Sequence, residues 1–498
     1  MNEQKHGESY SHILKYTSLF GGIQGLGILI GVLRNKIVAV LLGPDGVGLQ
    51  ALFNTAVKFM GDSTNLGVSM SGVREISGAF ENSTEEAKTR LRYNVQLIRS
   101  WSLLVAFVGT AFTILMSPLL NLFSFDWGNH TLHYAALSLV VGLTAVIGGE
   151  LAVLKGIRRL QELAISSVLT VLISLLLSVP FFWFWRERAI VPVMIFVSFA
   201  QLFVVARYSW RQFPYKVSFS HRVLRQGIGM VRLGLAFVLA GILGSGADYI
   251  VRTWLGRTGG LDILGLYNAG YMMTMVYAGI VFSAMETDYF PRLSAVKMLG
   301  REFNDKINKQ IEVSLLLVSP MLVGFLIGLP VLLPLFYSGK FMPVLEMTQV
   351  AVLAMYLRAM KLPVAYVPLA RGDSKSYLFL EGIYDVLMVL VFIPCYTYYG
   401  LFGTGLAMLF MSIFDFFMQI IYMRYRYDYH ISREVIVYAF VQLPIGITAY
   451  GVSVYLNSLP YWIFGTCLFV ASTAVSLAVI RQKTRLWESL KAKLSSYL

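Results

Sequence analysis

The sequence predicts an all-α integral membrane protein of about fourteen transmembrane helices, and three observations carry that prediction. Of its 498 residues, 57% are hydrophobic and only 14% charged, with a mean hydropathy of +0.66, far outside the range of soluble domains. Apolar stretches of about twenty residues or more recur along the whole length, each long enough to cross roughly 30 Å of hydrocarbon. The polar segments between them are too short to hold a folded domain. Finally, Lys and Arg fall on one side when successive loops are assigned to alternate faces.

Gly/Pro turns and charge clusters mark the ends of the spans. They place helices at 11–42, 47–79, 90–118, 131–157, 160–185 and 189–210. After a basic segment at 211–223, spans follow at 224–256, 262–290, 305–337, 343–371, 375–399 and 401–426. A last pair covers 433–457 and 460–481. The resulting organisation is a six-helix lobe (1–210), a basic linker (211–223), a second six-helix lobe (224–430), and two additional helices with a basic tail (431–498). The polar start MNEQKHGESYSHILKY lacks the short apolar core and cleavage site of a secretory signal, so the first helix is expected to direct its own insertion.

One set of loops carries about 27 basic residues, including Lys88, Arg90, Arg158, Arg159, Arg211, Lys216, Arg371, Lys375 and the tail RQKTRLWESLKAK, against about four opposite (Arg186, Arg188, Arg257, Lys340). The positive-inside rule makes that side, and both termini, cytoplasmic. The net charge of +14 thus reports topology rather than nucleic-acid binding. Cys395 and Cys467 lie in apolar segments at no metal or redox spacing and read as packing residues.

The two halves repeat. VAVLLGPDGVGLQALFN (38–54) parallels VRTWLGRTGGLDILGLYNA (251–269), each closing a helix with Leu-Gly and reopening with Gly-Leu, which predicts a tight outer turn. ENSTEEAKTRLRYN corresponds to RLSAVKMLGREFNDK, and ELAVLKGIRRLQELAISS to YVPLARGDSKSYLFLEG. Repeats of this kind are common in transporters built around a midplane site.

The run Arg34-Asn35-Lys36 through Leu42-Gly43-Pro44 and Gly46-Val47-Gly48, the second-helix run Lys58 through Gly67-Val68 to Arg74-Glu75, and Gly265–Tyr267 together resemble the polysaccharide-export (O-antigen, Wzx-type) flippases of the multidrug/oligosaccharidyl-lipid/polysaccharide exporter superfamily. The resemblance in helix order spans essentially the whole chain. It implies two six-helix lobes forming a V around a central cavity that opens alternately to each side of the bacterial inner membrane. It implies as cargo an undecaprenyl-pyrophosphate-linked oligosaccharide, with polysaccharide polymerase and chain-length machinery as partners. The last helix pair departs from the commonest twelve-helix pattern and looks more like the lipid II flippases.

Charged groups inside a span cost about 2.5 to 3.5 kcal/mol each and normally face protein or a wet cavity. The cations Arg34, Lys36, Lys58, Arg252, Arg358 and Lys361 are the candidate pyrophosphate ligands, because converging Arg and Lys replace the hydration of an anion leaving water. Arg358 and Lys58 fall nearest the midplane, whereas Arg34, Lys36 and Arg252 also suit snorkelling to an interface. Lys361 is one turn from Arg358, so the two are expected to act together. Arg99 adds a cation in the third helix. The acids are Asp62, Glu150, Asp248, Glu286, Asp288, Glu381, Asp385 and Asp415. Glu381 and Asp385 share a helix face, and like charges so placed share a proton unless a cation intervenes. With Asp62 and Asp248 they are the candidate ion-coupling groups, for H⁺ or Na⁺. Asp248 and Arg252, one turn apart, also suit mutual neutralisation.

No cofactor or metal is expected: there is no GxxxxGK[ST] phosphate loop, and His130 and His133 have no partner cluster. A lipid II flippase and a multidrug antiporter are the alternative transporters, although a lipophilic-cation exporter calls for a net acidic or neutral cavity. A membrane glycan polymerase or ligase would place catalytic residues in a large outer loop, and the longest here, NLFSFDWGNHTLH, is short.

Overall fold

The computed structural model describes residues 2–80, 84–126, 128–279, 281–282, 289–290, 292–294, 296 and 299–483, with side chains from Gly25 onward except at 224, 230 and 232–237. Glu286, Asp288 and the basic tail beyond Lys483 lie outside the described residues. The only regular secondary structure among those described is helical, with no strand.

The helices are α1 (Asn2–Thr64), α2 (Val68–Phe80), α3 (Glu85–Ser124), α4 (Thr131–Gly156), α5 (Leu160–Trp185), α6 (Ile190–Gln212), α7 (His221–Thr258) and α8 (Gly260–Tyr271), followed by α9 (Arg301–Phe336), α10 (Leu345–Arg371), α11 (Ser374–Tyr427), α12 (Arg433–Tyr455) and α13 (Ser458–Lys483). By length and composition, nine helical stretches among the described residues can cross a membrane. Several of them contain more than one of the expected spans. α1 bends at Gly43 (φ 72°) and α11 at Gly400 (φ 58°), left-handed conformations that cost a glycine nothing. Pro44 then opens the second arm of α1, where its missing N–H is no loss. A single 3₁₀ turn, Arg186–Ala189, joins α5 to α6.

One expected span is broken. Instead of a continuous helix over 47–79, the chain interrupts at Asn65-Leu66-Gly67, where Leu66 (φ 52°) and Gly67 (φ 69°) are both left-handed. Two such residues in succession cannot propagate an α-helix, and the ladder restarts at Val68. The matching span of the second repeat is also irregular: α8 passes into a π-helical turn at Met272–Ala278.

The chain divides into two compact units, Met1–Gly265 with Phe336–Ser338, and Leu266–Leu335 with Gly339–Leu498. In the first, α3 packs most extensively on α4, and α1 on α5. Its larger apolar cluster gathers Val68, Ile76, Val95, Ile98, Trp101, Val153 and Val223 from α2, α3, α4 and α7. The repeated outer turns meet within this unit. Gly43 lies five residues before Gly48, and the left-handed Gly260 lies five before Gly265. A methyl group on Gly48 would come within 2.0 Å of the Leu261 carbonyl oxygen, and one on Gly265 within 1.9 Å of the Pro44 oxygen. Two backbones in direct contact leave room only for glycine at both positions.

In the second unit, α10 packs most extensively on α11. The last pair is fastened to α9 and α10. Gly465 and Gly324 admit Ile327 and Phe469, Gly446 lies against the Tyr356 ring, and Tyr461 donates to the Ile327 carbonyl at 2.6 Å. Such small-residue contacts, not a hydrophobic drive, bind helices in lipid.

Candidate functional site

In the first unit the interruption at 65–67 opens a polar cavity of about 340 Å³, whose lining includes Asn54, Lys58, Asp62, Asn65, Ser69 and Thr144. Lys58 and Asp62 are one turn apart on α1, with the Ser245 hydroxyl beside the carboxylate. A helix that stops at membrane depth is tolerated where it lines such a cavity. Arg34, half-buried, donates through Nε to Ser178 Oγ of α5 at 3.3 Å, and Lys36 is half-buried two residues on. Arg252, 5% exposed, pairs with Asp248 one turn earlier on α7.

A second charged group in this unit proves to be architectural. Arg99 and Glu150 are 3% and 1% exposed and meet at 3.0 Å. Glu150 also accepts from Ser209 Oγ (2.5 Å) and Trp210 Nε1 (3.0 Å). Arg99 spends its remaining donors on the carbonyls of Phe213 and Pro214. Every group of this pair is satisfied, which is the condition for a charge to be kept buried.

In the second unit Arg358 and Lys361 diverge despite lying one turn apart on α10. Arg358 Nη1 reaches the carbonyl oxygen and Sδ of Met275, both at 3.3 Å, and its guanidinium lies 5.5 Å from the centre of the Phe282 ring. Met275 belongs to the π-helical turn. No carboxylate faces Arg358 among the described residues. Lys361 Nζ pairs instead with Asp415 Oδ2 at 2.5 Å and lies 5.4 Å from the centre of the Tyr384 ring. Glu381, half-buried, shares the field of Lys361 and Asp415, so a cation does intervene beside the Glu381–Asp385 pair. Asp415 Oδ1 and Gln419 Oε1, one turn apart on α11 in residues 3% and 2% exposed, meet no hydrogen-bond donor among the described residues.

An apolar helical chain with two repeats, interrupted second helices and intramembrane cations was compared with known proteins. Residues 37–346 match the model of a family described as polysaccharide biosynthesis protein. The chain belongs to this polysaccharide biosynthesis family. No curated protein matches it. Among solved structures it is similar to an inward-facing multidrug resistance MATE family transporter of the MOP superfamily, at TM-score 0.62 and 14% identity over 80% of this chain and 94% of that one. It is similar to the lipid II flippase MurJ in an inward closed conformation, at TM-score 0.62 and 14% identity over 93% and 99%. A MOP superfamily transporter from Pyrococcus furiosus matches at TM-score 0.60 and 14% identity over 81% and 93%. At these identities the likeness establishes the fold alone.

Within this family member the candidate residues are dispersed: Arg34 and Lys36 on α1, Lys58 and Asp62 at the cavity, Arg252 with Asp248 on α7, Arg358 at Met275, and Lys361 with Glu381 and Asp385 on α10 and α11. Asp415 stands out as the direct partner of Lys361, and Gln419 as its neighbour. The signal for Asp415 was an acid isolated in the apolar run Ile413–Met418; Gln419 gave none. His130 packs tilted against Phe125 with ring centres 4.1 Å apart and His133 stacks on Phe53 at 6.0 Å, an aromatic cluster. Burial, then the neighbouring His133, pushes His130 below its ordinary range.

Proposed function

We propose that this protein is a flippase that carries an undecaprenyl-pyrophosphate-linked oligosaccharide, an O-antigen or other surface-polysaccharide repeat, from the cytoplasmic to the outer leaflet of the bacterial inner membrane by alternating access. The observation that carries the reading is Arg358: a guanidinium inside an apolar helix, held by a carbonyl and a thioether and facing no carboxylate among the described residues. A pyrophosphate supplies the charge-assisted hydrogen bonds that such a group lacks. Membership in a polysaccharide biosynthesis family supports a glycan cargo. Lys58, Arg34, Lys36 and Arg252 of the first unit are further cations assigned to the pyrophosphate in this reading, and the basic loops support cytoplasmic termini. Polymerase and chain-length proteins would receive the product.

Ion coupling, to H⁺ or Na⁺, is assigned to Glu381 and Asp385 together with Asp415, and secondarily to Asp62 and Asp248. A buried carboxylate oxygen without a donor is unstable unless a proton or cation arrives. A second reading, lipid II transport, is favoured by one observation: the likeness to MurJ takes in 93% of this chain, more than the MATE likeness does.

Gene deletion followed by mass spectrometry of accumulated undecaprenyl-linked intermediates tests both. A trapped oligosaccharide repeat on the inner leaflet supports the flippase of surface glycans, and trapped lipid II supports the second reading. Neither intermediate, with raised sensitivity to cationic drugs, overturns both in favour of a multidrug exporter.

A further inference from the structure

The chain that joins the two repeats looks free in the sequence: PYKVSFS is polar, basic and without helical period. The structure shows it fastened. Residues 213–220 run extended between α6 and α7, so their backbone groups have no helical ladder to satisfy them. Two consecutive residues of α3 do so instead, and the next bonds the start of α7. Arg99 Nη1 donates to the carbonyls of Phe213 (3.1 Å) and Pro214 (2.8 Å). Ser100 Oγ accepts from the Ser218 amide at 2.9 Å. Trp101 Nε1 donates to the Val223 carbonyl at 3.2 Å. Successive helical side chains point about 100° apart, so the linker and the first turn of α7 together follow the surface of α3.

The contacts are reinforced from outside and continue into α7. The Tyr215 ring centre lies 5.5 Å from the Arg99 guanidinium and 4.9 Å from that of Trp210. Gly227 lies so close to the Trp101 indole that an added methyl group would overlap it. Around Gly229 and Gly241, by contrast, a methyl group would meet nothing within 4 Å.

We propose that Arg99 and Glu150 form a permanent clasp that keeps residues 213–223 on α3 throughout the transport cycle, so that movement between the repeats is taken up beyond Gly227 and not in the linker. Glu150 fixes the guanidinium from one side, Phe213 and Pro214 seat on the other, and Arg99 acts as a positioning residue that never meets cargo. An extended segment with exposed Lys216 and Arg222 would be the natural flexing point of such a chain; here it is part of the first unit.

The test uses the full chain with Cys395 and Cys467 replaced by Ser, carrying Ser100→Cys and Ser218→Cys. Oxidation is expected to close the 100–218 disulfide while glycan export stays within about twofold of the reduced protein. Export arrested by oxidation and restored by reduction would overturn the clasp, because the linker would then have to leave α3. In lipid nanodiscs, trypsin is expected to cut at Lys216 at least about tenfold faster in Arg99→Gln than in the unsubstituted protein, and equal rates would also overturn it. The export arm rests on the flippase reading. Absence of export even in the unsubstituted protein would count against that reading alone, and the protease comparison still decides the clasp.

Discussion

The two units each bury an ion pair, and the pairs are finished differently. Around Arg99–Glu150 every donor and acceptor has a partner, from α3, α4, α6 and the linker. Around Lys361–Asp415 the ammonium meets one carboxylate oxygen and the Tyr384 face, while Asp415 Oδ1 and Gln419 Oε1 meet no donor among the described residues. Both pairs cost desolvation, so the difference lies in what each leaves open. A saturated network rigidifies, whereas an unfinished one leaves costly unpaired groups, which the proposed ion coupling would use.

Four substitutions press on this comparison. The largest effect is expected from Glu150→Ala, which strands a buried guanidinium at a cost of about 3–5 kcal/mol and should remove most folded protein from the membrane. Size-exclusion chromatography of a fluorescent fusion measures it, and an Arg99→Leu/Glu150→Leu pair should recover much of the loss. Arg358→Ala is expected to abolish export at unchanged abundance; normal export from that variant would sink the central-cation reading. Asp415→Asn belongs to the same class, with export lost and the melting temperature falling less than in Glu150→Ala. If Asp415→Asn proves equally destabilising, the contrast between the two pairs fails.

A smaller effect is expected at the α10–α11 turn. Asp373 caps α11, accepting from the Ser376 amide at 3.1 Å. Burial pushes its carboxyl up, but hydrogen bonds from Ser376 and Tyr427 and the Arg426 charge outweigh this and hold it below the usual carboxylate range. Its stabilisation is therefore full above the unfolded value of about 3.9 and is lost as pH falls through the lower folded value. Asp373→Ala should cost about 1 kcal/mol at neutral pH, with the deficit shrinking below about pH 3.9 in thermal melts.

The fold was legible because hydropathy and charge asymmetry act at the scale of whole spans, and the repeat showed itself in the Gly-Leu turns. The break at 65–67 was not. Asn-Leu-Gly closes the polar stretch GDSTNLG, which a span-scale pattern passes over, and nothing local in it marks Leu66 as left-handed. Among the site residues, the pairing of Asp248 with Arg252 followed from their spacing, since four residues set neighbours on a helix. Lys361 with Asp415 did not, because 54 positions separate them. Spacing also misled at Arg358 and Lys361: three residues apart puts two long side chains near each other, yet a π-helical turn and an acid on α11 draw them to opposite partners.

The glycine contact of the outer turns carries a consequence for how the sequence can drift. Gly48 and Gly265 each face the other copy's main chain, not a side chain that could shrink in compensation. A substitution at either site has no second-site suppressor at its partner. Saturation mutagenesis should therefore find two equally intolerant positions that never covary, a duplicated element locked in place by recognising its own twin.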